Sequence, residues 1–201
     1  MTARLPATAI VLAGGRSARF GSDKAEALLR GRSMLDWVLA AVSGVCDEVI
    51  IVGGPPRERP GVRYLAEEGD LRGPLGGMVA GLRVARFDAC FATACDAPLL
   101  APAVVRAVLT TLAVADADAA LPVVGGVPQP LAGAYRRDGC LAPFEATLAT
   151  GRGGPIHAVR SVRWTELPET ALRECDPDLR SFINANTPDA LAALEALLAG
   201  G

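Results

Sequence analysis

The stretch 9–27, AIVLAGGRSARFGSDKAEA, constrains this chain more than any other. Its opening apolar run is too short for a membrane span, and too soon broken by Gly14-Gly15-Arg16 for a signal peptide, so it reads as a buried strand. The run breaks into a glycine-rich loop carrying Arg16, Arg19 and Lys24, the local chemistry of backbone N–H groups and cations delivered to a phosphate. If the loop takes a nucleoside triphosphate, a second segment must supply an acidic ligand for the accompanying magnesium. Cys95-Asp96-Ala97-Pro98, at the end of another apolar run, meets that need.

Spacing excludes two commoner phosphate loops. A Walker A loop needs Gly-Lys-Ser/Thr in succession, whereas Ser22 and Asp23 separate Gly21 from Lys24. A dinucleotide fingerprint needs G-x-G-x-x-G running straight into a helix, and Gly14, Gly15 and Gly21 do not keep that spacing. What remains is L-A-G-G-x-S-x-R-F-G-x-D-K, a longer loop able to wrap a triphosphate while Arg19 and Lys24 neutralise it. Of the 20 basic residues only Lys24 is a lysine, which suggests that a compact ammonium rather than a planar fork is wanted there.

Along the chain, apolar spacing predicts a helix over 35–45 with Ser33 as N-cap and Gly44 near its end. It predicts buried strands over 48–52, 62–66, 89–95 and 118–124, and helices over 78–85, 102–113 and 141–149. The glycine-rich 73–77 reads as the close of a polar loop, 125–136 as a turn and extended segment, and 159–166 as a strand. A last helix runs to about 198, capped by Asn186 or Thr187 with Pro188 in its first turn. Such alternation implies an α/β fold with a mostly parallel central sheet flanked by helices, in which ligands bind beyond the carboxyl ends of the strands. The glycine loop and Asp96 both follow strand ends, so they can face one crevice.

With 201 residues, one domain over 1–201 is expected. A formal net charge of −2 argues against nucleic acid as a partner. Five cysteines without a C-x-x-C pair suit a reduced compartment, and with no membrane-length apolar run the chain is expected in the cytoplasm, off the membrane. His157, the only histidine, has no carboxylate or serine motif beside it and reads as a surface or helix position.

The opening motif, together with Gly73-Pro74-Leu75-Gly76-Gly77, Cys95-Asp96-Ala97-Pro98 and Phe182-Ile183-Asn184-Ala185-Asn186-Thr187-Pro188, resembles the molybdenum cofactor guanylyltransferases in type and order. These belong to the wider Rossmann-like nucleoside triphosphate transferase fold. The resemblance implies transfer of GMP from GTP onto the terminal phosphate of molybdopterin, giving the guanine dinucleotide cofactor and pyrophosphate. It implies backbone contacts to the nucleotide from Leu12, Ala13, Gly14 and Gly15, charge neutralisation by Arg19 and Lys24, and Mg2+ on Asp96. Gly76 and Gly77 would admit the nucleotide closely, and Asn184 and Asn186 would face the pterin. Transient contacts with the enzymes that make and receive the cofactor are expected.

From the residues alone, Asp96 could instead be a helix N-cap, and the asparagines could cap the last helix. Where the family carries an asparagine after the second strand to read guanine, this chain has Val52-Gly53-Gly54, and Glu67 or Glu68 stands where an aspartate is common. CTP, as in the related cytidylyltransferases, or another acceptor therefore stays open. So does a non-catalytic nucleotide-binding adaptor, against which the pairing of Lys24 with Asp96 speaks.

Overall fold

The computed structural model describes residues 3–14, 23–66 and 73–199. Its strands are β1 (Leu5–Leu12), β2 (Leu28–Leu29), β3 (Arg32–Ser33), β4 (Cys46–Val52), β5 (Arg63–Leu65), β6 (Ala89–Ala94), β7 (Ala119–Val124), β8 (Val127–Pro128), β9 (Ala132–Arg136) and β10 (Trp164–Leu167). Its helices are α1 (Met34–Ser43), α2 (Gly73–Val84), α3 (Pro102–Val114), α4 (Arg137–Ala149), α5 (Pro155–Val159), α6 (Glu169–Cys175) and α7 (Pro188–Ala199).

The main sheet has the order β10-β7-β9-β6-β1-β4-β5. Along this order every pairing is parallel except those of β9, which runs antiparallel to both β6 and β7, and the two-residue β8 pairs antiparallel with β7 off the path. The fold is thus the expected mostly parallel α/β sheet, with the chain reversed after β7 by the turn at Gly125-Gly126. From Ala7 to Leu12 every residue of β1 is buried, which requires cover on both faces. Ala7, Ala9 and Val11 pack with α1, α3 and α6, while Ile10 and Leu12 pack with α2, α4 and α5. A small separate core of Leu29, Met34, Ala185 and Leu194 seats α7 against the β2–β3 hairpin. No described helix is long and apolar enough to cross a membrane.

Most expected elements stand within a few residues of their predicted bounds, and the departures have physical causes. Gly73 to Gly77 is not the end of a loop but the first turns of α2. Glycine is a poor helix former, yet here its missing side chain is what packing needs. A Cβ on Gly77 would lie 2.9 Å from Leu12 Cδ2, and one on Gly81 would lie 2.5 Å from Ile10 Cγ2, so the helix rests directly on β1. The helix expected over 141–149 begins at Arg137. Val159 ends α5, started by Pro155 at its first position, so the strand expected over 159–166 begins only at Trp164. The short α6 and the β2–β3 hairpin, with Arg30 and Gly31 both at positive φ, were not anticipated.

Among the described residues all five cysteines are free. Burial pushes the thiols of Cys46, Cys95 and Cys140 up to about 12 and that of Cys90 up further, as expected of small core residues rather than nucleophiles.

At the amino-terminal end of the sheet, Glu48 of β4 accepts from the Thr8 hydroxyl at 2.7 Å, from the Arg86 backbone N–H at 2.7 Å and from the Arg63 guanidinium. Burial works against its charge, but these donors outweigh it and hold the carboxyl below its ordinary range. Because the folded value is depressed, the stabilisation is full above the unfolded value and is lost as pH falls through the folded one. Glu48→Gln is expected to cost about 1–3 kcal/mol at neutral pH and much less near pH 3, read from urea unfolding at both. Gly81→Ala is expected to destabilise by about 1–3 kcal/mol, because Ile10 has no room to yield.

Candidate active site

Two strand ends define the site. The Ala13 N–H donates to Val52 O at 2.9 Å and the Cys95 N–H donates to Leu12 O at 3.0 Å, so β1, β4 and β6 finish in step and their exits face one side. Beyond them lies a cleft of about 200 Å³ lined by Leu12, Gly14, Lys24, Val52, Gly73, Pro74, Gly77, Ala94, Cys95, Asp96 and Leu131. This is the crevice that parallel α/β sheets offer ligands.

Lys24 enters it from a single 3-10 turn, Lys24–Glu26, whose N-cap Asp23 accepts from the Ala25 N–H at 3.2 Å. Its ammonium stands 2.7 Å from Asp96 Oδ2 and donates to Asn186 Oδ1 at 3.1 Å. Asp96 belongs to the turn after β6 and not to a helix terminus, since α3 begins at Pro102 with Ala101 as its N-cap. The helix-cap reading of Asp96 is therefore set aside. Both side chains of the pair are mostly buried, at 18% and 16% exposure, leaving an edge toward the cleft.

Asn186 arrives through a chain of backbone anchors. Asp176 accepts from the Arg180 and Ser181 N–H groups, Ser181 Oγ accepts from the Ala101 N–H at 2.9 Å, and the Ala185 N–H donates to Asp96 O at 2.8 Å. The asparagine segment is thus zipped to the loop after β6. Thr187, not Asn186, caps α7, accepting from the Ala190 N–H at 3.1 Å. Asn184 and Asn186 are exposed on either side of buried Ala185.

Of the expected site residues, the structure brings Leu12, Gly14, Lys24, Gly77 and Asp96 into one cleft, with Asn186 on the Lys24 ammonium and Ala13 in the strand exit. Gly76 is buried in the first turns of α2. Gly15, Arg19, Glu67 and Glu68 lie outside the described residues, as does Arg16. His157 falls in α5, away from this cleft.

Arg57 was not anticipated, and among the described residues it is the most buried cation near the site. Its Nη1 donates to Gly53 O and Pro55 O, both at 3.3 Å, Nη2 pairs with Asp23 Oδ2 at 2.5 Å, and Nε pairs with Glu26 Oε1 at 3.1 Å. The Gly53 N–H donates to Leu65 O, and Tyr64 donates its hydroxyl hydrogen to Gly54 O. Arg57 follows Gly53-Gly54-Pro55-Pro56, and no local signal in the sequence marks its burial.

The MobA-like NTP transferase domain model matches residues 9–167. A molybdenum cofactor guanylyltransferase of Desulfosudis oleivorans is 36% identical over 197 residues, with 96% of each chain covered. Among solved structures, molybdopterin-guanine dinucleotide biosynthesis protein A of Archaeoglobus fulgidus superposes with a TM-score of 0.82 at 26% identity, covering 97% of this chain and 100% of that one. A 2-C-methyl-D-erythritol 4-phosphate cytidylyltransferase of Thermus thermophilus has a TM-score of 0.71 at 17% identity, covering 98% of this chain and 100% of that one, and so shares the fold.

The exit of β4 is sterically closed. Gly54 has φ +72°, and a Cβ there would stand 2.7 Å from Ala13 O and against the Arg57 guanidinium, whereas Gly61 has the same φ of +72° in open space. Gly61→Ala is expected to cost only the backbone strain, about 1 kcal/mol, and Gly54→Ala that strain plus about 1–3 kcal/mol of displaced packing, measured as unfolding free energies in urea.

Proposed function

This chain belongs to the MobA-like NTP transferase family, and we propose that it transfers GMP from GTP to the terminal phosphate of molybdopterin, releasing pyrophosphate. It is a nucleotidyltransferase; the base, the acceptor and the roles of single residues are our reading. The observation that carries that reading is the meeting of Lys24, Asp96 and Asn186, from three distant parts of the chain, at the exits of β1 and β6.

In-line attack of one phosphate on another needs little covalent help, so catalysis here is positioning and charge neutralisation. The acceptor phosphate is ionised at neutral pH, and no general base is required. Backbone at Leu12, Ala13, Gly14 and Gly15 bounds the triphosphate, Arg19 and Lys24 draw charge from it, and Gly76 and Gly77 leave room beside it. Glu67 or Glu68 reads the base, and Asn184 and Asn186 hold the pterin side. Cys95 stays a protonated thiol beside these groups, since burial pushes it up to about 12.

Among the described residues no three His, Cys, Asp or Glu side chains gather into a metal site. A single hard carboxylate, with phosphate oxygens and water completing the shell, is the donor set that suits Mg2+. Asp96 would hold the ion, whose chemistry is to neutralise the phosphates and favour departure of pyrophosphate. The free thiols support a reducing compartment, the cytoplasm, with the acceptor passed on by transient contact with neighbouring enzymes.

The test is nucleotidyl transfer by the purified chain with molybdopterin and Mg2+, offering labelled GTP and CTP in parallel. A GMP adduct that needs acceptor, disappears with EDTA and returns with added Mg2+ is expected. Lys24→Ala and Asp96→Asn are expected to lower turnover by about 10²–10³-fold. A CMP adduct alone would move the chain to the cytidylyl branch, and no adduct with either nucleotide would sink the acceptor.

A further inference from the structure

Lys24 sits on one turn of 3-10 helix, held by its own backbone, among the described residues, through the Glu26 N–H to Asp23 O and Ala27 N–H to Lys24 O bonds, both 3.1 Å. A turn that short does not hold its own geometry in water. Its direction must come from outside, and the residues flanking Lys24 show from where. Asp23 and Glu26, on either side, both pair with the guanidinium of Arg57, whose side chain is 3% exposed. The remaining reach of Arg57 goes to the Gly53 and Pro55 carbonyls at the exit of β4. Arg59 grips Glu26 a second time at 3.1 Å and is itself held by Asp36 at 2.7 Å.

We propose that Arg57 is a positioning residue, fastening the Lys24 turn to the end of β4 so that the ammonium meets Asp96 and stays placed for the triphosphate. This rests on the reading of Lys24 as the cation that neutralises the nucleotide. A buried guanidinium can serve two flanking carboxylates and two carbonyls at once because its donors form a rigid fork. An ammonium at 57 would reach fewer of them. The arrangement is preorganisation: the cost of orienting Lys24 is met by folding rather than at the moment of reaction.

Lys24 is the only lysine in the chain, so selective 13Cε labelling of lysine yields a single side-chain signal that reports on it alone. Asp96→Asn and Arg57→Gln are both expected to move that signal toward the position of free lysine, with Arg57→Lys intermediate, while thermal unfolding remains cooperative. A signal unmoved in a folded Arg57→Gln chain would overturn the proposal. Should Arg57→Gln fail to fold, the double variant Asp23→Asn, Glu26→Gln releases the turn from its other side and is judged by the same shift. In nucleotide binding, Arg57→Gln is expected to weaken GTP by about tenfold where Lys24 is present and not at all in the Lys24→Ala background, and equal losses in both backgrounds would overturn it too. An unaltered chain that binds no GTP would instead count against the functional reading, and the lysine signal would still decide for or against Arg57.

Discussion

The buried central strand is the constraint on which everything else here depends. β1 pairs in parallel on both edges and is buried from Ala7 to Leu12, so helices must cover both of its faces and nothing but its exit can meet solvent. Parallel pairing then places the ends of β4 and β6 beside that exit. The cleft is therefore a product of the core, and its backbone groups are held in register by the same ladder that buries the strand.

Within that cleft the contact between Lys24 and Asp96 adds little to stability, since a pair with both partners still partly wet contributes modestly at best. Its value is in orientation. On the proposed reading, the same two groups that pair in the cleft are those whose charges a nucleotide and its metal would engage. Among the described residues the other ion pairs are all made by arginine, including the alternating series Asp23, Arg57, Glu26, Arg59 and Asp36 that runs from the Lys24 turn to the first turn of α1. Arginine forks suit fixed pairs; the one lysine stands where, on the proposed reading, a side chain turns from a carboxylate to a phosphate.

Glycine marks the places where local propensity and packing disagree. The series Gly73 to Gly77 reads as loop by composition and is helix in fact, because Gly77, like Gly81 in the expected helical part, lets α2 lie on β1 without an intervening side chain. Gly54 likewise makes room for the Arg57 guanidinium, which a Cβ there would meet along with Ala13 O.

The sequence by itself determined the mostly parallel α/β class and the strand ends near Leu12 and Ala94, because apolar periodicity is a local signal, and it marked Lys24 and Asp96 as candidates by their residue types beyond strand exits, while the asparagine pair came with the family resemblance. It also carried a cue for α6 that was not read: Pro168 before a run of helix formers, with Glu169 and Arg173 four apart and paired at 2.8 Å. Only the tertiary structure decided the start of α2, the choice of Thr187 over Asn186 as cap, and the burial of Arg57. Each of these depends on what lies opposite: a strand surface, a lysine 162 positions away, two carboxylates on the Lys24 turn. No window along the chain contains such partners, and the free energy that selects them exists only once the elements have packed.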